Sequence, residues 1–300
     1  MGTPIKIMEF TDPACTWCWG SEPLLRKLEY DFSPTIKVGY VMGGLVKDAK
    51  TFMDPLNNIG GDLTLFNQQV AKHWLEASKH HGMPVQTDGF ELFTESDRST
   101  YPMNFAYKAA QSQGEAIANR FLRRMREAVA AEARQANKAE VLAELANDVG
   151  LDIPMFITSM SDGSAEQAFK ADQDIMRKYS IRGFPGYLLV GGEGKEIVMR
   201  GYQTYDDFVT AISMLSEDVV APTQIDVSEE TILDFISHYG RIASVELQET
   251  FNLDKDATKN WLELLINRGD VSAQKAGNGA FYALTSQSGF CDSDIGVCNL

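Results

Sequence analysis

Apolar runs of two different periods divide the chain. Ile5-Lys6-Ile7-Met8-Glu9-Phe10 is short and bounded by Thr11-Asp12-Pro13, which predicts a buried strand. Residues 15–30 turn helical: Trp17, Leu24, Leu25 and Leu28 can share one face, and Pro23 is expected to kink the helix. Residues 36–42 form a second strand ended by Gly43-Gly44, so strand, helix and strand make one βαβ unit. From about Asp62 to Tyr179 almost everything reads as helix, over 65–80, 104–111, 115–133, 138–149, 153–160 and 164–179. Gly150 is a natural stop, and Ser164 with Gln167 fits a capping box.

The short period then returns. A strand ends at Tyr187-Leu188-Leu189-Val190, Gly191-Gly192-Glu193-Gly194 turns it back, and Glu196-Ile197-Val198-Met199 pairs with it before a helix over 205–215. Beyond Pro222, three helices are predicted over 228–239, 244–251 and 254–267. Two short strands around Gly277-Asn278-Gly279 follow, and the whole resembles a winged helix-turn-helix. The expected organisation is an α/β framework over 1–50 and 180–220, a helical insertion over 51–179, a winged-helix-like domain over 223–286 and a tail over 287–300. No internal repeat is visible.

A length of 300 residues predicts about two domains. No apolar run is long enough to span a bilayer, and no basic segment precedes a long apolar one at the N-terminus, so a cytoplasmic location is expected. The net charge of −15 disfavours a phosphate backbone unless a basic patch offsets it. The richest basic run, Arg120 to Arg126, reads as a solvated helical face.

The four cysteines, Cys15, Cys18, Cys291 and Cys298, form two close pairs at opposite ends. Cys15 stands where the first strand meets the first helix. There the helix dipole and free N–H groups favour a thiolate, and such cysteines ionise well below the usual thiol range. Cys18 lies one turn further on the same face, in reach of a disulfide. Cys15 is the candidate nucleophile and Cys18 the resolving thiol. Two inert buried thiols, or a zinc site shared with Cys291 and Cys298, are weaker readings, because the wide second spacing does not resemble a zinc knuckle. No metal is expected. Phe184-Pro185 sits at a tight bend before a strand, where a cis peptide is expected, and a cis-proline facing a C-x-x-C is the second mark of a thioredoxin architecture.

These stretches, Phe10-Thr11-Asp12-Pro13-Ala14-Cys15-Thr16-Trp17-Cys18-Trp19-Gly20 and Ile181-Arg182-Gly183-Phe184-Pro185, resemble the DsbA family of thiol-disulfide oxidoreductases. The nearest branch is the cytoplasmic FrnE-like group, described as dithiol-disulfide isomerases. The resemblance implies a thioredoxin fold with a helical insertion over residues 1–220. It implies Pro185 beside the substrate backbone and Phe184 lining the peptide groove; it does not reach the C-terminal 80 or so residues. Thr16-Trp17 stands where the periplasmic oxidants have Pro-His, so no imidazole is expected beside Cys15, and Asp12 would oppose a thiolate. Reductase or isomerase chemistry is therefore expected over net oxidation, with no dissociable cofactor and with thioredoxin or glutathione as reductant.

Trp17 is expected to be an exposed apolar lip for substrate and Trp19 a core residue. His73, His80, His81 and His238 show no ligand pattern and read as ordinary surface or partly buried residues. Gly43-Gly44 reads as a plain turn. Cys291 and Cys298 form either a second redox pair on the tail or two solvent thiols. The C-terminal module carries five Lys/Arg against twelve Asp/Glu between 226 and 294, so protein docking or dimerisation is expected there rather than DNA binding. Two competing classes remain. One is a non-catalytic adaptor. The other is glutathione transfer of the kappa type or chromene-carboxylate isomerisation, against which Cys18 argues.

Overall fold

A computed structural model of the protein describes residues 5–217, 220–223 and 225–285. The tail cysteines Cys291 and Cys298 lie outside the described residues.

The predicted βαβ unit opens the fold: β1 (Ile5–Thr11), α1 (Thr16–Asp31) and β2 (Ile36–Met42), with β1 and β2 parallel. A two-residue hairpin, β3 (Met53–Asp54) and β4 (Ile59–Gly60), escaped the sequence reading. The helices of the insertion are α2 (Leu63–His81), α3 (Tyr101–Gln111), α4 (Glu115–Arg126), α5 (Ala139–Asp148), α6 (Ile153–Ser161) and α7 (Ser164–Lys178). A π-helical turn, Glu127–Ala131, continues α4. Residues 82–100 carry neither helix nor strand and fill the gap between the helices expected over 65–80 and 104–111. The sheet resumes with β5 (Gly186–Val190) and β6 (Glu196–Arg200), closed by α8 (Tyr205–Ser216). Strand order is β2-β1-β5-β6, with β5 antiparallel to β1 and β6 antiparallel to β5.

Two local expectations change. The Ser164 capping box is absent: Gly163, at φ 86°, is the N-cap of α7, and the Ser164 hydroxyl turns back to Ser159 at 2.9 Å. Pro23 lies inside α1 without ending it.

Strand alternation places Ile5, Ile7, Glu9 and Thr11 on one face of β1. Ile5 and Ile7 pack there with Leu24, Leu25 and Leu28 of α1 and with Phe208 and Ile212 of α8. Phe10, Val41 and Leu188 form the opposite face, against Met176 of α7 and Phe184. Glu9 follows Ile5 and Ile7 on the face towards α1, so it is a carboxyl group carried into the core by the strand period.

The C-terminal segment forms α9 (Glu229–Tyr239), β7 (Ile242–Ala243), α10 (Ser244–Phe251), α11 (Lys255–Arg268), β8 (Val271–Ala276) and β9 (Gly279–Leu284). The three helices and the hairpin occur in the order expected, and β7 adds a third strand, giving β7-β9-β8. This module docks on the rest of the chain. Lys27 of α1 donates to the Glu249 and Thr250 carbonyls at the end of α10, at 2.7 and 3.3 Å, which satisfies carbonyls that the helix leaves free. The β8–β9 turn reaches the loop after α2: Asn278 accepts from Val85 N–H at 2.8 Å and donates its own N–H to the Val85 carbonyl at 3.1 Å. Gly277 is required at this turn. Its φ is 52°, and a Cβ would lie 2.2 Å from the Val85 oxygen. The turn of this hairpin is thus an intramolecular contact.

Candidate functional site: a buried dithiol at a strand–helix corner

Strand β1 ends at Thr11, and the chain turns at Asp12 to enter α1. Asp12 makes that corner. One carboxylate oxygen accepts from Ala14 N–H at 2.8 Å. The other accepts from Leu45 N–H at 2.7 Å, from the Thr100 hydroxyl at 2.8 Å and from the Asn104 amide at 2.8 Å. Burial raises its pKa, and these donors pull it back. The sequence set Asp12 against a thiolate at Cys15; the structure gives its oxygens to the framework, tying the corner to α3 and to the loop after β2.

Cys15 is the N-cap of α1. Its sulfur accepts the Cys18 N–H at 3.3 Å, and its carbonyl accepts from Trp19 N–H at 2.9 Å. The sulfur therefore stands at the positive end of the helix dipole with one amide aimed at it. No acidic residue lies in the first turn to cancel that field. Both cysteines are free thiols. Cys15 retains 5% exposure and Cys18 none, so a substrate sulfur can reach only the first. Burial pushes the Cys18 thiol well up; Cys15 and then the Glu9 carboxyl raise it further, and the Arg126 guanidinium pulls it down.

Glu9 and Arg126 are functional candidates that the sequence reading missed. Both are fully buried. Arg126 donates to Glu9 at 2.8 Å, to the Thr11 hydroxyl at 2.5 Å and to Glu22 of α1. Burial lifts Glu9 to about 7, against the pull of Arg126. A carboxyl group that exchanges its proton near neutrality thus sits within the electrostatic reach of the resolving thiol. The signal was present in the strand alternation, which carries Glu9 with Ile5 and Ile7. The run from Arg120 to Arg126 is corrected in part: Arg120 is exposed, but Arg123 and Arg126 are buried.

The Phe184–Pro185 peptide is cis. Register places it: Gly186 pairs with Phe10, so Pro185 falls beside the end of β1, next to the cysteine corner. The Pro185 carbonyl accepts from Gly201 N–H at 2.9 Å. Phe184 lies against Gly43, where a Cβ would stand 2.0 Å from its ring carbon Cζ. Gly43 is thus the floor that admits Phe184, more than the plain turn expected of it. A cleft of about 340 Å³ opens here, lined by residues 180–185 with Arg200 and Gly201.

Trp17 is half-buried rather than exposed, with its ring 5.6 Å from Tyr202 and 6.1 Å from both His80 and His81. Trp19 is core, as expected: it is 1% exposed, its indole N–H donates to the Pro84 carbonyl at 2.9 Å, and the Arg123 guanidinium covers its face at 4.5 Å. His81 is a correction. It is buried against α1, where a Cβ on Gly20 would stand 2.5 Å from its Cγ. Its Nδ1 accepts from Met83 N–H at 3.1 Å, which leaves the ring proton on Nε2, 3.5 Å from the Thr16 hydroxyl. Burial lowers its pKa to about 4, so the ring is neutral at pH 7. An imidazole does approach the dithiol turn, from α2. Among the described residues, no three His, Cys, Asp or Glu side chains are grouped to hold a metal ion. No helix among them is long and apolar enough to cross a membrane.

A C-x-x-C at the first strand–helix corner, a cis-proline beside it and a helical insertion define a thioredoxin-fold dithiol protein of the DsbA type. The family model described as Thioredoxin matches residues 8–210, and the chain belongs to that family. The ClpXP adapter protein SpxH of Shouchella clausii (strain KSM-K16) is 24% identical over 281 residues, covering 93% of this chain and 88% of that protein. SpxH of Bacillus subtilis (strain 168) is 24% identical over 289 residues, with 93% and 89% covered. Among solved structures, the cytosolic disulfide reductase DsbM from Pseudomonas aeruginosa superposes with a TM-score of 0.54 at 21% identity, covering 70% of this chain and 97% of that one. The resemblance read from the motifs is borne out at the level of family and fold.

Proposed function

We propose that the protein is a thiol-disulfide oxidoreductase working as a reductase or isomerase through Cys15 and Cys18. The observation that carries this reading is an N-cap sulfur that keeps 5% exposure, a fully buried thiol one turn further along the helix, and a buried carboxyl, Glu9, raised to about 7, whose charge acts on that thiol. The Cys15 thiolate attacks one sulfur of a substrate disulfide and expels the other as a thiolate. Cys18 then gives its proton to the Glu9 carboxylate and attacks the Cys15 sulfur, releasing the second substrate thiol. The products are a Cys15–Cys18 disulfide and a substrate dithiol. The cleft at Phe184 and Pro185 receives the substrate backbone. A thioredoxin or glutathione system in the cytoplasm returns the pair to the dithiol, and no dissociable cofactor takes part.

The reading is tested by equilibrating the protein with glutathione and its disulfide, with Cys291 and Cys298 changed to serine, and trapping the mixture for mass spectrometry. A two-electron couple between Cys15 and Cys18 is expected. Failure to form that disulfide sinks the enzyme and puts the second reading first. In the second reading the fold is a protein-docking adaptor. Its support is that the adapter proteins of Shouchella clausii and Bacillus subtilis align over 93% of the chain, whereas the reductase structure covers 70%. An adaptor keeps binding its client after Cys15→Ser.

A further inference from the structure

The C-terminal module meets the dithiol through a buried chain of ion pairs. Glu246, in the first turn of α10, is fully buried. It holds Arg26 of α1 at 2.7 Å and both terminal nitrogens of Arg123, at 3.1 and 2.9 Å. Those two arginines also face Glu22 of α1, Arg123 at 3.5 Å and Arg26 at 3.9 Å, and Arg123 holds Glu127 at 2.9 Å. Glu22 in turn pairs with Arg126, whose other arm holds Glu9. Arg26, Arg123 and Arg126 thus face Glu22, Glu127 and Glu246, and Arg124 and Arg241 also reach Glu127, at 3.8 and 3.6 Å. A thiolate formed in the reduced pair adds one negative charge beside this buried cluster, where little solvent screens it.

We propose that Glu246 is a positioning residue for the dithiol: by holding Arg26 and Arg123 it leaves Glu22 to neutralise Arg126, and so sets the equilibrium between the Cys15–Cys18 disulfide and dithiol. The inference rests on the redox reading above. Loss of the Glu246 charge removes the carboxylate that Arg26 and Arg123 share. Arg26 and Arg123 then turn to Glu22, Arg126 is freed towards Glu9 and Cys18, and the thiolate-bearing reduced form gains. Loss of Arg26 has the opposite sign. By linkage, whatever lifts the module from α1 biases the couple, and the redox state biases the docking.

The test is the equilibrium in which the protein disulfide and two glutathiones give the dithiol and glutathione disulfide, read on the full chain with Cys291→Ser and Cys298→Ser. Glu246→Gln is expected to move the constant towards dithiol by about threefold to tenfold, the scale of couplings within one ionic network. Tenfold is about 30 mV for a two-electron couple. Arg26→Gln is expected to move it the other way. Asn278→Ala, which loosens the hairpin turn without touching a charge, leaves it unmoved. A merely structural role for Glu246 would shift Glu246→Gln and Asn278→Ala alike, or neither, and overturns the proposal. Shifts of the same sign in Glu246→Gln and Arg26→Gln also overturn it. Should Glu246→Gln not fold, the sign in Arg26→Gln decides. If the unsubstituted protein forms no Cys15–Cys18 disulfide, the redox reading itself has failed, which is a distinguishable result.

Discussion

Replacing Glu9 by glutamine keeps the shape of the side chain and removes its ionisation, so it isolates the energetic effect of burying that carboxyl. Burial lifts its pKa from 4.5 to about 7. At about 1.4 kcal/mol per pH unit, that rise corresponds to about 3 kcal/mol. The sign follows from proton counting. Between pH 4.5 and 7 the folded protein holds a proton on Glu9 that the unfolded chain has released. The stability associated with the neutral form is therefore full below pH 4.5 and lost as the pH rises through 7. His81 runs the other way over nearly the same window. Its pKa falls from 6.5 to about 4, so its contribution is present above 6.5 and lost as the pH falls towards 4. The two nearly cancel in the unsubstituted protein, and the informative quantity is a difference between proteins. Urea unfolding of both proteins from pH 4.5 to 8 supplies it. The Glu9→Gln protein should gain about 3 kcal/mol on the unsubstituted one across that range, whatever constant offset the lost Arg126 contact introduces. A difference that is flat in pH would refute a buried carboxyl at Glu9 that titrates near neutrality. In the same variant, release of substrate from the mixed disulfide should slow by about a hundredfold or more, and its inflection near pH 7 should vanish.

His81→Asn should remove the acid-side loss, so that the variant gains about 3 kcal/mol on the unsubstituted protein between pH 6.5 and 4, read by the same unfolding series. Gly43→Ala puts a methyl 2.0 Å from Phe184 Cζ. Phe184 must swing into the cleft, lowering stability by about 1–3 kcal/mol and raising KM for a peptide disulfide more than it lowers kcat. Cys15→Ser should abolish disulfide exchange while leaving the thermal midpoint within a few degrees, because the hydroxyl can take the same N-cap bond from Cys18 N–H. Loss of folding instead would make Cys15 structural.

The framework was legible in the sequence because it rests on local rules. The period of two in β1, the shift to a helical period after Cys15 and the glycine turn before β6 each fix an element without reference to distant residues. The dithiol and the proline beside it were legible for the same reason: a residue at a strand–helix corner has its chemistry set by the backbone around it. The fate of the charged residues was decided only by tertiary structure. The sequence shows Arg123 and Arg126 on a helix rich in charge, where the ordinary expectation is solvent. It cannot show that α1 and α10 close over that helix and bring Glu22 and Glu246 to meet them. The part Asp12 plays in tying the corner was hidden on the same ground, since its Thr100 and Asn104 partners lie 88 and 92 residues away. So was His81, which reaches Thr16 across 65 residues. Glu9 lies between the two cases. Its direction was written in the strand alternation, but its pKa depends on the burial that only the assembled α1, α4 and sheet provide. A side chain's direction follows from its own element; its charge state follows from what the other elements place beside it.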